Sequence, residues 1–185
     1  MRPLPAQTIG PFYHFALTKD AALGRMAGDG ARGQRIRVRM RVLDGDGAPV
    51  TDGMIEVWQA DAAGKYEHPD DPQETSADPA FCGFGRLATD LDGACVFETV
   101  YPGRTPDGSG GCQAPHLNVS IFARGLMARL CTRMYFADDP ALAEDPVLAL
   151  VPEERRATLL ARREGGQWRF DIRLQGEDET VFFDV

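Results

Sequence analysis

Arg35-Ile36-Arg37-Val38-Arg39-Met40-Arg41-Val42 alternates without a break. Successive side chains of a β-strand leave opposite faces of the backbone, so Ile36, Val38, Met40 and Val42 share one face and the four arginines the other. The stretch reads as a half-buried strand whose arginines are solvated or salt-bridged on the outside. Asp44-Gly45-Asp46-Gly47 follows as a turn signal, and Met54-Ile55-Glu56-Val57-Trp58-Gln59-Ala60 as a second strand.

The same texture continues outward from there. Shorter strands are expected near Phe84 to Ala88 and Cys95 to Val100, with Asp90-Leu91-Asp92-Gly93 turning between them, and further strands from His116 and over Met127 to Phe136. His68 to Pro79 and Pro102 to Gly111 read as loops. The one helical signal is Pro152 to Arg163, with proline in its first turn, acids at its start, bases at its end and Gly165-Gly166 as a stop. Trp168, Phe170, Ile172 and Leu174 alternate, and with Thr180 to Phe183 they suggest a closing hairpin. The expected fold is mainly β, a sandwich spanning residues 35–185 with one short C-terminal helix. It is preceded by an extended arm, residues 1–34, whose Phe12, Tyr13 and Phe15 anticipate docking on the core or on a partner.

A chain of 185 residues is long enough for one domain with a substantial core and no need of disulfides. Its 28 acidic and 20 basic side chains leave a net charge of −8, which argues against nucleic acid or an anionic membrane as partner. The N-terminal residues carry no apolar run of the secretory kind, so the cytoplasm is the expected compartment. Cys82, Cys95, Cys112 and Cys131 are widely spaced and read as free thiols.

Chemistry concentrates in Ala114-Pro115-His116-Leu117-Asn118-Val119-Ser120-Ile121-Phe122-Ala123-Arg124-Gly125. As a strand, it puts His116, Asn118 and Ser120 on one face. A second histidine at position 118 would make half of a site for iron, copper or zinc; asparagine is a poor substitute. The other histidines, His14 and His68, have no ligand spacing to it. Neither a nucleophile elbow nor a phosphate-binding glycine loop is present.

Taken in order, Gln7-Thr8-Ile9-Gly10-Pro11-Phe12, Glu56 to Tyr66, Tyr101-Pro102-Gly103, Ala114 to Asn118, Phe122-Ala123-Arg124-Gly125, Thr132 to Phe136 and Gln175 to Asp184 resemble the intradiol ring-cleaving dioxygenases. That family holds ferric iron with two tyrosines and two histidines. The resemblance places Tyr66 at the first tyrosine and His116 at the first histidine. It places Thr105 where the second tyrosine would stand and Asn118 in place of the second histidine. It therefore implies a chain that binds no metal and supplies no catalytic residue of its own. Such a chain pairs with a homologous beta chain carrying the Fe(III), and the active site forms between them. The implied reaction opens protocatechuate with O2 to 3-carboxy-cis,cis-muconate. By the same resemblance Thr8, Gly10, Pro11, Phe12 and Arg124 face the substrate, with Phe12 standing where related chains carry tyrosine. Two other readings stay open on the residues alone: a self-sufficient iron enzyme with an abbreviated ligand set, and a non-catalytic β-sandwich binding module.

Overall fold

In the computed structural model, which describes residues 7–10 and 12–184, the alternating stretch is strand β1, Arg35–Leu43. Ile36, Val38, Met40 and Val42 are buried, whereas the arginines stay at the surface. Arg35 donates to the carbonyls of Ala27 and Gly28, Arg41 Nε donates to the Asp92 carbonyl at 2.9 Å, and Arg37 lies 3.9 Å from Glu98.

The remaining strands are β2 (Met54–Trp58), β3 (Phe84–Ala88), β4 (Ala94–Val100), β5 (Thr105–Pro106), β6 (Cys112–Gln113), β7 (His116–Phe122), β8 (Leu130–Phe136), β9 (Leu160–Glu164) and β10 (Gln167–Arg173). Eight of them form one continuous order, β3-β2-β7-β8-β9-β10-β1-β4, and β5 pairs with β6 apart from it. The order folds over into a sandwich. Ile55, Val57, Leu117, Val119, Ile121 and Met134 of one half share a single apolar cluster with Val38, Met40, Val42, Phe97, Phe170 and Ile172 of the other. Full burial of a side chain of this size is worth roughly 1.5–3 kcal/mol, so the shared core is what closes the two halves together.

Two sequence expectations change. The helix over Pro152 to Arg163 is instead a 3-10 helix, Glu153–Leu159, that ends where β9 begins. Leu160 and Ala161 are drawn into the sheet by parallel pairing with Tyr135 and Phe136, and Ala161 is fully buried there. Tertiary pairing thus overrides a helical pattern. The closing hairpin also has a different partner: β10 turns back on β9 through Gly165 and Gly166, whose φ values of 58° and 80° suit a tight two-residue hairpin turn. The terminal segment instead crosses to β8, where the Phe183 N–H donates to the Cys131 carbonyl at 2.8 Å.

The N-terminal segment contains a short helix, α1 (Tyr13–Leu17), and a 3-10 turn, Ala21–Gly24, capped by the Asp20 side chain and packed against β3 and β4. Met26 and Ala27 enter the main core. Phe12 and Phe15 do not dock on it: they are 76% and 64% exposed.

Candidate functional site

Tyr66 is placed by the loop that follows β2. Asp61, almost fully buried, accepts from the N–H groups of Ala63 and Lys65 and, with its other oxygen, from that of Asp78. Gly64 makes the turn with φ of 84°, and a Cβ there would lie 1.9 Å from the Arg104 carbonyl oxygen, so only glycine fits. The Asp71 carboxylate then receives the Tyr66 N–H at 2.9 Å and the Lys65 ammonium at 2.8 Å, and its carboxyl is held below the usual range by these bonds against the opposing effect of burial. The Tyr66 ring stacks on Trp58, centroids 5.9 Å apart and planes 11° from parallel.

His116 opens β7, and its position is fixed by Asp145, whose carboxylate receives the Ala114 N–H at 2.7 Å and the Tyr135 hydroxyl at 3.1 Å. The His116 Nδ1 lies 2.8 Å from the Ala114 carbonyl oxygen. A carbonyl can only accept, so this nitrogen carries the proton and Nε2 presents the lone pair. Nε2 faces the Tyr66 hydroxyl at 3.4 Å, while the Asn118 amide donates to the same hydroxyl at 3.1 Å and to the Trp58 carbonyl at 3.3 Å. The three side chains therefore form one directed chain, from Asn118 N–H through Tyr66 O–H to His116 Nε2. Burial raises the pKa of the Tyr66 phenol, and burial followed by the nearby Arg133 charge lowers that of His116 to about 4.

Thr105, on β5, lines the same cavity of about 270 Å³ as Trp58, Tyr66, Pro72 and Gln113. It is buried, and its hydroxyl has no hydrogen-bond partner among the described residues. The four positions expected at a family metal site are thus brought together, but their chemistry does not fit ferric iron. One phenol stays protonated, the one available imidazole lone pair is taken by that phenol, and the other two positions offer an amide N–H and a neutral hydroxyl. Among the described residues, no group of three or more His, Cys, Asp or Glu side chains is placed to hold a metal ion.

The expected substrate-facing residues gather elsewhere. Arg124 lies just beyond the far end of β7, and a seven-residue strand separates it from His116 by roughly 20 Å. The Thr8 hydroxyl accepts the Gly125 N–H at 2.8 Å, tying the N-terminal segment to this corner. Arg124 Nε pairs with the Asp52 carboxylate, and the Tyr13 hydroxyl donates to the Asp52 carbonyl. Burial, then the Asp52 charge, pushes the Tyr13 pKa up to about 12. Gly10 accepts the Tyr13 N–H through its carbonyl at 3.3 Å, Phe12 projects into solvent, and Pro11 lies outside the described residues. His14 offers no described side chain, and His68 sits half-exposed on a surface loop.

Asp52, Gln113, Arg133 and Asp145 complete these two clusters and went unrecognised in the sequence. Asp52 lies in a Thr-Asp-Gly turn like many others. Arg133, opposite Asn118 on β8, donates to the Gln113 side-chain oxygen at 2.6 Å. Only the register of β7 on β8 brings it beside Asn118.

A family model described as Dioxygenase matches residues 8–176. The chain is 43% identical to the protocatechuate 3,4-dioxygenase alpha chain of Pseudomonas putida, over 97% of this chain and 95% of that protein. It is 40% identical to the protocatechuate 3,4-dioxygenase beta chain of Burkholderia cepacia, over 95% of this chain and 77% of that one. Among solved structures, the dioxygenase domain of a dioxygenase carbohydrate-binding protein fusion from Streptomyces sp. SirexAA-E superposes with a TM-score of 0.63 at 24% identity, covering 95% of this chain and all of that domain. With matches of this extent at both sequence and fold level, the chain belongs to the intradiol ring-cleavage dioxygenase family.

Proposed function

We propose that this chain is the non-iron alpha subunit of a protocatechuate 3,4-dioxygenase. It pairs with a homologous beta chain that carries Fe(III), and the two complete an active site at their interface. There protocatechuate and O2 are converted to 3-carboxy-cis,cis-muconate. The observation that carries this reading is the split between two ends of β7. At one end the metal positions are tied up in the Asn118–Tyr66–His116 chain. At the other end, Arg124 and the N-terminal segment present a guanidinium and an exposed aromatic ring with no metal position nearby. A chain that keeps recognition residues and lacks a usable donor set is suited to complete a site whose metal lies on another chain.

In that role Arg124 binds the ring carboxylate. Its Nε is engaged by Asp52, and the two Nη groups remain to fork onto a carboxylate, a charge-assisted contact that strengthens as water is excluded. Thr8 and Tyr13 hold the segment that carries Phe12 against this corner, so that Phe12 closes the pocket wall. Four free cysteines agree with our placement of the protein in the cytoplasm.

Co-expression with a beta-type homologue tests the reading. The complex should open protocatechuate and contain iron, and the chain alone should do neither. Ring cleavage by the purified chain alone would instead establish a self-sufficient enzyme, and failure of any beta-type chain to associate would leave a free binding module.

A further inference from the structure

Asp52 sits in the turn that leads into β2, and Thr89 locks that turn from behind. The buried Thr89 hydroxyl donates to the Val50 carbonyl at 2.7 Å and accepts the Gly53 N–H at 2.9 Å, while the Thr89 N–H donates to the Gly53 carbonyl at 2.9 Å. A Cβ on Gly53 would stand 3.2 Å from the Thr89 hydroxyl oxygen, so the turn lies flat against its support. From this fixed point the Asp52 carboxylate reaches across to Arg124 and accepts its Nε–H. The Arg124 side chain is 69% exposed and that of Asp52 27%. An ion pair so open to water adds little to stability, and what it fixes is geometry. A guanidinium offers a carboxylate two forked edges, Nε with one Nη or the two Nη groups together. With Nε taken by Asp52, a second carboxylate is left the Nη–Nη edge.

We propose that Asp52 is the positioning residue of the Arg124 corner, selecting which edge of the guanidinium meets the ring carboxylate of the substrate. The inference rests on the role assigned to Arg124 under the proposed function. Asp52 acts through Arg124 and not on the substrate, because its own charge repels a carboxylate. That repulsion crosses the width of a guanidinium in a corner open to water, where salt screens it, so the gain from holding the fork in place outweighs it.

Kinetics of the complex with a beta-type partner test this. Asp52→Ala should raise KM for protocatechuate by about tenfold with little change in kcat, and should cut the preference for protocatechuate over catechol by the same factor. Asp52→Asn keeps an acceptor oxygen opposite Nε, should fall between alanine and the parent, and serves in place of alanine if that variant does not fold. Adding Asp52→Ala to Arg124→Ala should cost little beyond Arg124→Ala alone, since the one residue works through the other. A parental KM in Asp52→Ala and Asp52→Asn, with Arg124→Ala impaired, would overturn the inference and leave the proposed function standing. A parental KM in Arg124→Ala would instead remove the role assigned to Arg124, and this inference with it. Fully additive losses, or equal losses on catechol, would also overturn it by giving Asp52 a role apart from Arg124.

Discussion

The Asn118 amide donates to the Tyr66 hydroxyl at 3.1 Å, and that hydroxyl in turn faces His116 Nε2 at 3.4 Å. The Tyr66 oxygen and the His116 lone pair are thereby each matched to a neighbouring protein atom. The purified chain should accordingly hold far less than one iron per molecule after exposure to ferric salts, and should show no tyrosinate-to-iron colour. Elemental analysis finding about one tightly held iron per chain would refute this. Asn118→His alone should not restore binding, because Thr105 still supplies no phenolate.

Arg124→Ala, assayed in the complex, should lower kcat/KM for protocatechuate by about ten- to 150-fold. A charge-assisted bond in a shielded site is worth about 1.5–3 kcal/mol, and each 1.4 kcal/mol is a factor of ten. The carboxylate takes no part in ring opening, so the loss should appear mainly in KM. Plain catechol, which lacks the carboxylate, is the control and should be nearly unaffected. Equal losses for both substrates would assign Arg124 to holding the interface.

Buried His116 makes stability depend on pH. Its pKa falls from 6.5 when exposed to about 4 in the folded chain. Between these values the unfolded chain takes up a proton that the folded chain refuses, so stability is fully present above about pH 6.5 and is lost as pH falls toward 4. Urea midpoints measured from pH 7 to 4 should therefore decline less steeply in His116→Gln than in the parent. Identical slopes would show that the carboxylates alone set the acid limb.

Gly64→Ala should destabilise the chain by at least about 2 kcal/mol, since the new Cβ meets the Arg104 carbonyl at 1.9 Å on a backbone of positive φ. The same clash presses on the chain leading to Thr105, so near-ultraviolet circular dichroism of Trp58 and Tyr66 should change as well. A variant with parental stability and spectrum would mean that the loop relaxes freely.

The cysteines should separate by reactivity. Cys82 and Cys112 are exposed, whereas Cys95 is buried on β4 and burial pushes its thiol pKa up to about 12. Iodoacetamide on the folded chain should label the first two and reach Cys95 only on unfolding. Mass spectrometry showing early labelling at Cys95 would mean that β4 opens locally.

Much of the fold was legible in local pattern. β1 could be read from strict alternation because one of its faces is buried and the other wet, and the Asp-Gly turns marked where strands end. β9 could not. Leu160-Ala161-Arg162-Arg163-Glu164 has no period of two, and it becomes a strand only because β8 and β10 flank the slot it fills. The same limit applied to the sites. Tyr66, Thr105, His116 and Asn118 were named through family motifs and do converge, but the hydrogen bonds that engage Tyr66 and His116 depend on the pairing of Trp58 with Asn118 across β2 and β7. Asp52, which meets Arg124 from 72 positions away, leaves no local trace.

β9 also bears on how the molecule can yield. Backbone continuity between the two halves of the sheet rests on the rungs that Leu160 and Ala161 make with Tyr135 and Phe136. The backbone also ties the halves elsewhere: Met26 bonds Glu98 of β4 on one side and Cys82, just before β3, on the other, and the terminal segment bonds both Arg173 of β10 and Cys131 of β8. The sandwich is therefore clamped at three places. A subunit gripping the corner that holds Arg124 meets a body that turns as one piece.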